Sequence, residues 1–398
     1  MRFCVWSGAS FEKWYSSYHL MLKILQEMLS LGHEVWLLQV QRDDGAMPPE
    51  LQNVENLHIV NILQAETEKE NFVKRYVNQV KYYFKSGRTL KRLPKMDAIL
   101  LQSNNAAIIP VWIANRMRTP IVYNVQDIFP IDAMVVGKLS KRNPVFVITR
   151  WLQAQAYKRA DRVVTISEDM ATTIRREGRQ DVDVVYNWSY QNEPYAIEDK
   201  DNHFLLSNNI RREDGFRVVY AGNVGQMMDT EMIVQTAVLL KMYNDIKIYI
   251  IGEGSNLKKL KRRAGEKNLG NLLFFERQPM EYAQDNYCMA DVNINPVPMG
   301  VIYTCMPSKT ATCLLSEKAT VVSMELGSDM AKKLSSVDLW TIVKPGDYKA
   351  MAEAILNVYH NGNWERKSQN AAHFLKLLCP VENAQQYTKI LASLSEEP

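Results

Sequence analysis

The feature that most constrains this chain is an alternation of short apolar segments with longer segments of helical periodicity. In the first half, "DAILLQS" (97–103), "PIVYNVQD" (120–127) and "DRVVTIS" (161–167) are nearly continuous apolar runs, each reached after a helical segment. Strands that alternate with helices are typical of parallel βαβ units. The pattern therefore predicts a parallel α/β sheet with buried strands.

The same pattern begins at the N-terminus and returns in the second half. Phe3–Trp6 is a short strand, Ser7–Ser10 is a loop of small residues, and Ser16–Leu31 has apolar residues at helical spacing before Gly32. The polar, turn-rich stretch 182–209 interrupts the pattern, and a second α/β run starts at "FRVVYAGNVG" (216–225). We expect two consecutive nucleotide-type domains, joined by a linker.

Composition argues against several other classes of protein. The formal net charge of +4 is too small to indicate nucleic-acid binding by itself. The five cysteines include no C-x-x-C pair and the six histidines no H-E-x-x-H pair, so neither a disulfide framework nor a zinc site is predicted. No run of about 18 apolar residues is free of charge. The sequence favours a cytosolic protein that can still lie on a membrane surface.

Two basic segments of the first half carry interleaved aromatic residues. The segment 72–95 holds eight Lys and Arg and no acidic residue, and the segment 138–159 repeats this chemistry with Phe146 and Trp151. One interpretation is a solvated helix face that packs its aromatic residues inward. The other is a surface that docks on anionic lipid, where each basic residue contributes roughly 1 kcal/mol. Because there are two such segments we favour the membrane, and no nucleic-acid-binding module appears.

The stretch "MPSKTATCLL" (306–315) follows a predicted strand and opens a predicted helix. It lacks both glycines of a G-x-x-x-x-G-K-[ST] phosphate loop, which argues against an ATP site of that type. A helix N-terminus also binds phosphate: Pro307 suits the first helical position, and the N–H groups of Ser308, Lys309 and Thr310 then point outward. Lys309 adds a charge and Thr310 a hydroxyl. A capped helix with an exposed lysine is the alternative.

Further loops follow predicted strands at the ends where such folds bind ligands. In "YAGNVGQ" (220–226), Gly222 and Gly225 allow a ligand to approach the backbone closely, and Asn223 can hydrogen-bond it. We interpret the glycines of "IIGEG" (250–254) as turn residues. Asp127 lies just past a strand end, where it either caps a turn or a helix, or accepts a proton from or holds a hydroxyl of a bound acceptor.

In this order, the motifs resemble those of the family 4 glycosyltransferases, specifically the bacterial branch that builds capsule, O-antigen and similar surface polysaccharides. The motifs are the loop at 7–10, "YNVQDIFP", "ISEDM" (166–170), "YNWSY" (186–190), "YAGNVG", "IIGEG", "ADVNINPVPMG" and "MPSKTATCLL". The resemblance covers nearly the whole chain, and "MPSKTATCLL" together with "YAGNVG" is its more specific part.

The resemblance implies the GT-B fold of the α/β class, two Rossmann-like domains facing across a cleft, with a C-terminal helix crossing back to the N-terminal domain. We expect an acceptor-binding domain at 1–190, a nucleotide-sugar-binding domain at 191–378 and the returning helix at 379–398. The implied reaction is retaining and needs no metal or other cofactor. A sugar, with an N-acetylated amino sugar as one candidate, would pass from a UDP-sugar to a polyprenyl-diphosphate-linked saccharide on the cytoplasmic face of the membrane.

Carried over onto this sequence, the resemblance assigns Asp127 and Lys309 to catalysis, and Gly8 and Ser10 to a loop on the acceptor side. Lys309 would stabilise the leaving diphosphate in place of a metal. The expected donor site comprises Gly222, Asn223, Gly225, Pro307, Ser308, Lys309, Thr310 and Glu325.

The chain departs from the family pattern in two places. Asn223 and Met228 stand where the first donor-domain loop often carries Arg and Lys, and Ile302 and Thr310 stand where two glutamates are usual. Glu325 is a candidate substitute for those carboxylates. Two alternatives therefore stay open. One is a UDP-sugar epimerase of the GT-B fold, against which the basic segments argue. The other is a non-catalytic partner subunit of a polysaccharide-assembly complex.

Overall fold

The computed structural model describes residues 1–11, 18–41, 48–64, 72–102, 105–189, 194–362 and 371–396. The chain divides into two compact units. The first comprises Met1–Tyr190, Tyr303–Met306 and Cys379–Pro398, and the second comprises Gln191–Ile302 and Pro307–Leu378. No sequence pattern marks Tyr303–Met306 as part of the first unit, because membership in a unit is a property of tertiary packing.

The first unit forms a seven-stranded parallel sheet within the described residues. A 3-10 helix, Pro49–Leu51, lies between its second and third strands. In chain order the elements are β1 (Arg2–Ser7), α1 (Tyr18–Ser30), β2 (Glu34–Gln41), β3 (Leu57–Leu63), α2 (Phe72–Leu90), β4 (Ala98–Gln102), α3 (Ile108–Met117), β5 (Ile121–Val125), α4 (Ile131–Val135), α5 (Pro144–Arg159), β6 (Arg162–Thr165), α6 (Glu168–Arg176) and β7 (Asp183–Val184).

The second unit forms a six-stranded parallel sheet within the described residues. Its elements are α7 (His203–Ser207), β8 (Phe216–Ala221), α8 (Thr230–Leu240), β9 (Ile246–Ile251), α9 (Leu257–Glu266), β10 (Leu272–Phe275), α10 (Asp285–Cys288), β11 (Val292–Pro296), α11 (Lys309–Leu315), β12 (Ala319–Ser323), α12 (Asp329–Leu334), β13 (Trp340–Val343), α13 (Tyr348–Asn361) and α14 (Ala371–Leu377). Short 3-10 helices cover Arg212–Asp214, Met280–Tyr282 and Val301–Tyr303.

Both sheets have the strand order of a doubly wound fold, β3-β2-β1-β4-β5-β6-β7 in the first and β10-β9-β8-β11-β12-β13 in the second. All described pairings are parallel. The order reverses between β1 and β4 and again between β8 and β11. Loops diverge where the order reverses, and ligands of such folds bind there, at the carboxyl ends of the strands.

The sequence predictions of strands are confirmed wherever an apolar run was present. The edge strand β3 was not predicted, because only Ile62 of its residues is buried and His58 and Asn61 interrupt the run. Within the described residues α1 begins at Tyr18, and its predicted start at Ser16 lies outside them. The predicted linker 182–209 contains β7 and α7.

The C-terminal helix α15 (Pro380–Glu396) completes the core of the first unit. Ala384, Tyr387 and Leu391 are fully buried in the same cluster as the side chains of β1 and α1. The amide of Asn383 donates to the carbonyl of Tyr186 at 2.9 Å. The prediction that the last helix returns to the first unit is therefore confirmed.

Candidate functional site

Lys309 and Gly222 lie in direct contact in the second unit. Lys309 begins α11, and its side chain crosses the loop that follows β8. A Cβ built on Gly222 would lie 2.5 Å from Lys309 Cε and 3.3 Å from Lys309 Nζ. The φ of Gly222 is +127°, which is open mainly to glycine. Both the conformation and the contact therefore require glycine at this position.

Within the described part of the chain, the ammonium of Lys309 has an aromatic neighbour and no acidic ion-pair partner. Its Nζ lies 5.1 Å from the centroid of the Tyr220 ring. Among the residues that the structure describes, no carboxylate lies within the 4.0 Å of an ion pair with Lys309, whose side chain is half-buried. A half-buried cation without an internal counter-ion is an attractive site for an anionic ligand.

Two glycines hold the loop after β9 against the loop after β8. The φ angles of Gly252 and Gly254 are +150° and +156°. A Cβ on Gly252 would lie 2.0 Å from the carbonyl oxygen of Gly222, and a Cβ on Gly254 would lie 2.3 Å from that of Val224. Backbone hydrogen bonds join the loops, with Val224 N donating to Glu253 O at 2.8 Å. The geometry supports the structural interpretation of "IIGEG".

Asn223 and Gly225 complete the loop after β8. The side chain of Asn223 is exposed, whereas its carbonyl accepts a 2.7 Å hydrogen bond from the Tyr220 hydroxyl. Gly225 is buried, and its carbonyl accepts from Asn256 Nδ2 at 3.0 Å. The loop is thus fixed through its backbone, and the Asn223 side chain is left at the surface.

The start of α11 differs from the prediction. The helix begins at Lys309, so Pro307 lies two residues before it rather than at its first position. The Thr310 N–H donates to the Pro307 carbonyl at 3.0 Å, so a turn ahead of the helix already uses this donor. The Thr310 hydroxyl is buried, with no partner within the described residues, and Ser308 is exposed without a side-chain capping bond. Lys309, rather than a row of three outward N–H groups, is the cationic feature here.

Glu325 follows β12, beside the loop that leaves β11. Its Oε1 accepts a short hydrogen bond from the Gly300 N–H, while its Oε2 is buried and has no partner within the described residues. At two positions where the family usually carries charge, Ile302 and Met228 are 0% and 3% exposed. The apolar substitutions are explained by this burial, and Glu325 brings a carboxylate to the same edge of the sheet.

Asp127 lies two residues past β5 in the first unit. It forms an isolated antiparallel bridge with Cys305, and the next N–H, of Ile128, donates to the Thr304 carbonyl at 2.9 Å. Burial raises the pKa of Asp127 to about 7, and the negative charge of nearby Asp132 adds to the rise. A carboxyl with this pKa exchanges its proton near neutral pH.

Gly8 and Ser10 lie in the loop after β1, beneath α2. The Gly8 N–H donates to the Gln102 carbonyl at 3.0 Å. A Cβ on Gly8 would lie 2.8 Å from both Gln79 Nε2 and Tyr83 Oη, and Ser10 is buried. Glycine at position 8 therefore gives room to side chains of α2.

The two basic segments each pack one face inward and expose the other. In α2, Tyr82 and Tyr83 are buried, whereas Phe84 is 42% exposed among exposed basic residues. In α5, Ile148 and Trp151 are 58% and 60% exposed. Each helix thus has a face that packs aromatic side chains inward and an exposed face that carries basic and apolar side chains. The side chains at 72, 73 and 75 lie outside the described residues.

Within the described residues, the chain has neither a metal-binding cluster nor a membrane-spanning helix. No group of three or more His, Cys, Asp or Glu side chains is placed to hold a metal ion. No helix is both long enough and apolar enough to cross a membrane.

Sequence reasoning missed two features of these sites. Tyr220 was counted only as a strand residue, although an aromatic residue two positions before Gly222 was visible in "YAG". Tyr303–Met306 gave no signal, because its contribution to the Asp127 loop is made by backbone carbonyls and not by any residue type.

Comparison with known proteins places these features in context. Residues 20–188 match the model of the glycosyl transferase 4-like domain. WbjE of Pseudomonas aeruginosa, named as a glycosyltransferase, is 26% identical over 278 residues, 68% of each chain. WcaI of Escherichia coli (strain K12), named as a glycosyl transferase of colanic acid biosynthesis, is 23% identical over 252 residues, 60% of this chain and 61% of WcaI.

A solved structure shares the fold over almost the whole chain. The crystal structure of Anabaena HepE in complex with UDP and glucose has a TM-score of 0.70 and 16% sequence identity, and covers 99% of this chain and 100% of HepE. The resemblance inferred from the motifs is thereby confirmed: the chain has the GT-B fold, carries a glycosyl transferase 4-like domain at 20–188, and is similar to bacterial proteins named as glycosyltransferases, one of them for colanic acid biosynthesis.

Proposed function

We propose that this protein is a retaining glycosyltransferase that moves a sugar from a UDP-sugar to a lipid-diphosphate-linked saccharide in the assembly of a surface polysaccharide. The observation that carries the proposal is the Lys309 ammonium, held over Gly222 without a carboxylate partner among the described residues. The complexes of HepE with UDP and glucose and with UDP-glucose, and the colanic acid assignment of WcaI, support it.

Lys309 is suited to a leaving diphosphate. When the bond from the sugar to UDP breaks, negative charge grows on the oxygen of the β-phosphate. A preorganised cation in a partly desolvated site stabilises that charge more than water does, because it needs no reorganisation. Lys309 would take the part that a divalent metal takes in other transferases. We therefore expect transfer to continue in the presence of a chelator.

Asp127 is assigned to the acceptor. In same-face transfer the acceptor oxygen bonds to the sugar carbon as the bond to UDP breaks, and the acceptor proton passes to the leaving phosphate oxygen. Such a reaction needs no enzymic nucleophile. An ionised Asp127 would accept a hydrogen bond from the acceptor hydroxyl and hold its oxygen in place.

The exposed faces of α2 and α5 support a lipid-linked acceptor. Exposed lysines and arginines are neighbours in sequence of exposed Phe84, Ile148 and Trp151, so each of the two helices exposes cationic and apolar groups together. This combination suits anionic headgroups above an acyl layer. The proposed place of action is the cytoplasmic face of the cell membrane.

The first experiment is a thermal-shift screen of the full chain against UDP, GDP, ADP, CMP and dTDP and their common sugar conjugates, without added metal. Selective stabilisation by UDP and its conjugates is expected, because bound ligand stabilises the folded state by mass action. Selective stabilisation by another nucleotide would assign a donor that carries that nucleotide in place of UDP. No stabilisation by any of them would contradict the proposal and favour the non-catalytic subunit.

Lys309→Met tests the assigned contact. The variant keeps an unbranched side chain of similar length and removes its charge, so UDP affinity should fall by about 10-fold or more, as for loss of a charge-assisted contact. Lys318→Met is the control. Lys318 is also half-buried, but it lies just before β12, at the amino end of that strand, whereas the candidate site lies at the carboxyl ends of the strands. Unchanged UDP affinity in Lys309→Met would remove the central assignment.

A further inference from the structure

We infer that Tyr220 is a positioning residue, which holds the Lys309 ammonium above Gly222 and at the same time fixes the loop that faces it. The inference rests on the proposed function, because it takes Lys309 as the group that binds the diphosphate. It goes beyond that function by assigning a role to a buried strand residue that touches no substrate in the proposed mechanism.

The ring is the first part of the argument. Tyr220 is 1% exposed and is the fifth residue of β8, so its position is set by the sheet and by the core of the second unit. Lys309 Nζ lies 5.1 Å from the ring centroid, within the range of a cation–π interaction. A lysine side chain has four rotatable bonds, and a rigid aromatic face near its end restricts the positions that the ammonium takes.

The hydroxyl is the second part. Tyr220 Oη donates to the carbonyl of Asn223 at 2.7 Å, within the loop that contains Gly222. One side chain therefore contacts both the cation and the backbone over which the cation lies. If the loop shifted, Gly222 would move relative to Lys309, whose Cε would lie only 2.5 Å from a Cβ at that position.

The choice of an aromatic ring rather than a carboxylate has a chemical consequence. An Asp or Glu beside Lys309 would neutralise the ammonium and compete with an anionic ligand. A ring attracts the cation through its quadrupole and leaves the full positive charge in place. No carboxylate of the described residues forms an ion pair with Lys309, so Tyr220 holds the cation without cancelling it.

The test compares UDP with uridine, which share the base and ribose and differ in the diphosphate. Binding of each to the full chain is measured by calorimetry for the wild-type protein and for Tyr220→Phe and Tyr220→Met. Tyr220→Met removes the ring, and we expect the ratio of UDP to uridine affinity to fall about 5- to 20-fold with uridine affinity unchanged. Tyr220→Phe keeps the ring and should retain most of the ratio.

Tyr249→Met is the matched control, since Tyr249 is also a buried tyrosine of the same sheet, on β9, and lies outside the Lys309 contact. The decisive comparison is the double variant Tyr220→Met with Lys309→Met. If Tyr220 acts through Lys309, the second substitution adds no further loss of UDP affinity. An equal loss for uridine and UDP, or full additivity with Lys309→Met, would overturn the inference.

A series that preserves the shape of the side chain covers the case in which Tyr220→Met folds poorly. Phenylalanines with one, two and three ring fluorines at position 220 weaken the ring quadrupole stepwise, and UDP affinity should fall in the same order. UDP affinity that does not change with the number of fluorines would contradict the inference. If Lys309→Met alone leaves the ratio of UDP to uridine unchanged, the proposed function fails instead, and the two failures are distinguishable.

Discussion

At the scale of single residues, Asp127 shows how burial changes the chemistry of a side chain. The pKa of its carboxyl is raised from 3.8 to about 7 by desolvation, with Asp132 contributing further. The folded state therefore binds a proton that the unfolded state has already released between about pH 4 and 7. As the pH rises through this window, the folded protein loses stability, because ionisation of the carboxyl favours only the unfolded state.

Asp127→Asn tests this directly. An amide resembles the protonated carboxyl and does not ionise, so the variant and the wild-type protein should be about equally stable below about pH 4, where Asp127 is protonated in both the folded and the unfolded state. Near pH 8 the variant should be more stable, by about 1–3 kcal/mol. Chemical denaturation at a series of pH values measures the difference. A difference that does not grow with pH would show that Asp127 has an ordinary pKa.

The activity of Asp127 should have the opposite pH dependence. If the ionised carboxylate holds the acceptor hydroxyl, kcat/KM for the acceptor should rise with pH and level off above about 7. Asp127→Asn should lower kcat while leaving UDP affinity unchanged, because the donor contacts are on other residues. Asp132→Asn should move the inflection to lower pH, since the charge that raises the pKa of Asp127 is gone.

At the scale of structural elements, the loops after β8 and β9 depend on close backbone contact. Gly252→Ala would place a Cβ 2.0 Å from the Gly222 carbonyl oxygen at a φ of +150°, and neither strand of the buried sheet can move away. We expect a loss of about 3 kcal/mol or more in the free energy of unfolding. Gly270→Ala is the control, because nothing lies within 4 Å of a Cβ there. Equal losses in the free energy of unfolding for Gly252→Ala and Gly270→Ala, measured by chemical denaturation, would contradict this explanation.

The helices α2 and α5 give a second prediction at this scale. Replacing Lys81, Lys85, Arg88 and Arg92 by Gln should weaken binding to vesicles of anionic phospholipid, because these exposed side chains would contact the headgroups. The same change in net charge at α9, with Lys258, Lys259, Lys261 and Arg262 replaced, is the control on the second unit. Vesicle sedimentation measures both. Equal loss of vesicle binding in the two variants would indicate a general effect of net charge. Unchanged binding of the α2 variant would favour the interpretation of α2 as a solvated helix face.

At the scale of the whole molecule, the chain end is part of the first core. Leu391 is fully buried in the cluster that includes Phe3 and Leu25, although it lies more than 360 residues away along the chain. Leu391→Ala should cost about 2–5 kcal/mol, as for other leucines removed from packed cores. Leu206→Ala should cost little, since Leu206 is 59% exposed. Equal costs for the two variants in denaturant unfolding would show that α15 does not contribute to the core.

This packing also constrains folding. The first unit cannot complete its core until α15 has been made, so its completion needs contacts at very long sequence separation. Such contacts form late because closing a long loop costs conformational entropy before the contact compensates for it.

The sequence by itself determined the fold class, most of the strands and the resemblance to the family 4 glycosyltransferases. A buried parallel strand must be apolar along its length, and a loop that approaches a ligand or another backbone closely needs glycine. The local sequence of "VVYAG" and "IIGEG" is therefore enough to recognise a strand followed by a tight loop. Lys309 and Asp127 could be named as candidates for the same reason: a lysine at a helix start and an acid just past a strand end are residue types suited to binding a phosphate and a hydroxyl.

Only the tertiary structure decided which of these groups meet and in what state. It showed that Lys309 crosses Gly222 beside the Tyr220 ring, and that the Thr310 N–H is already used by Pro307. It also raised the pKa of Asp127, because desolvation depends on every element packed around a carboxyl. Distances and burial arise from contacts between segments remote in sequence, and residue types along the chain do not specify them.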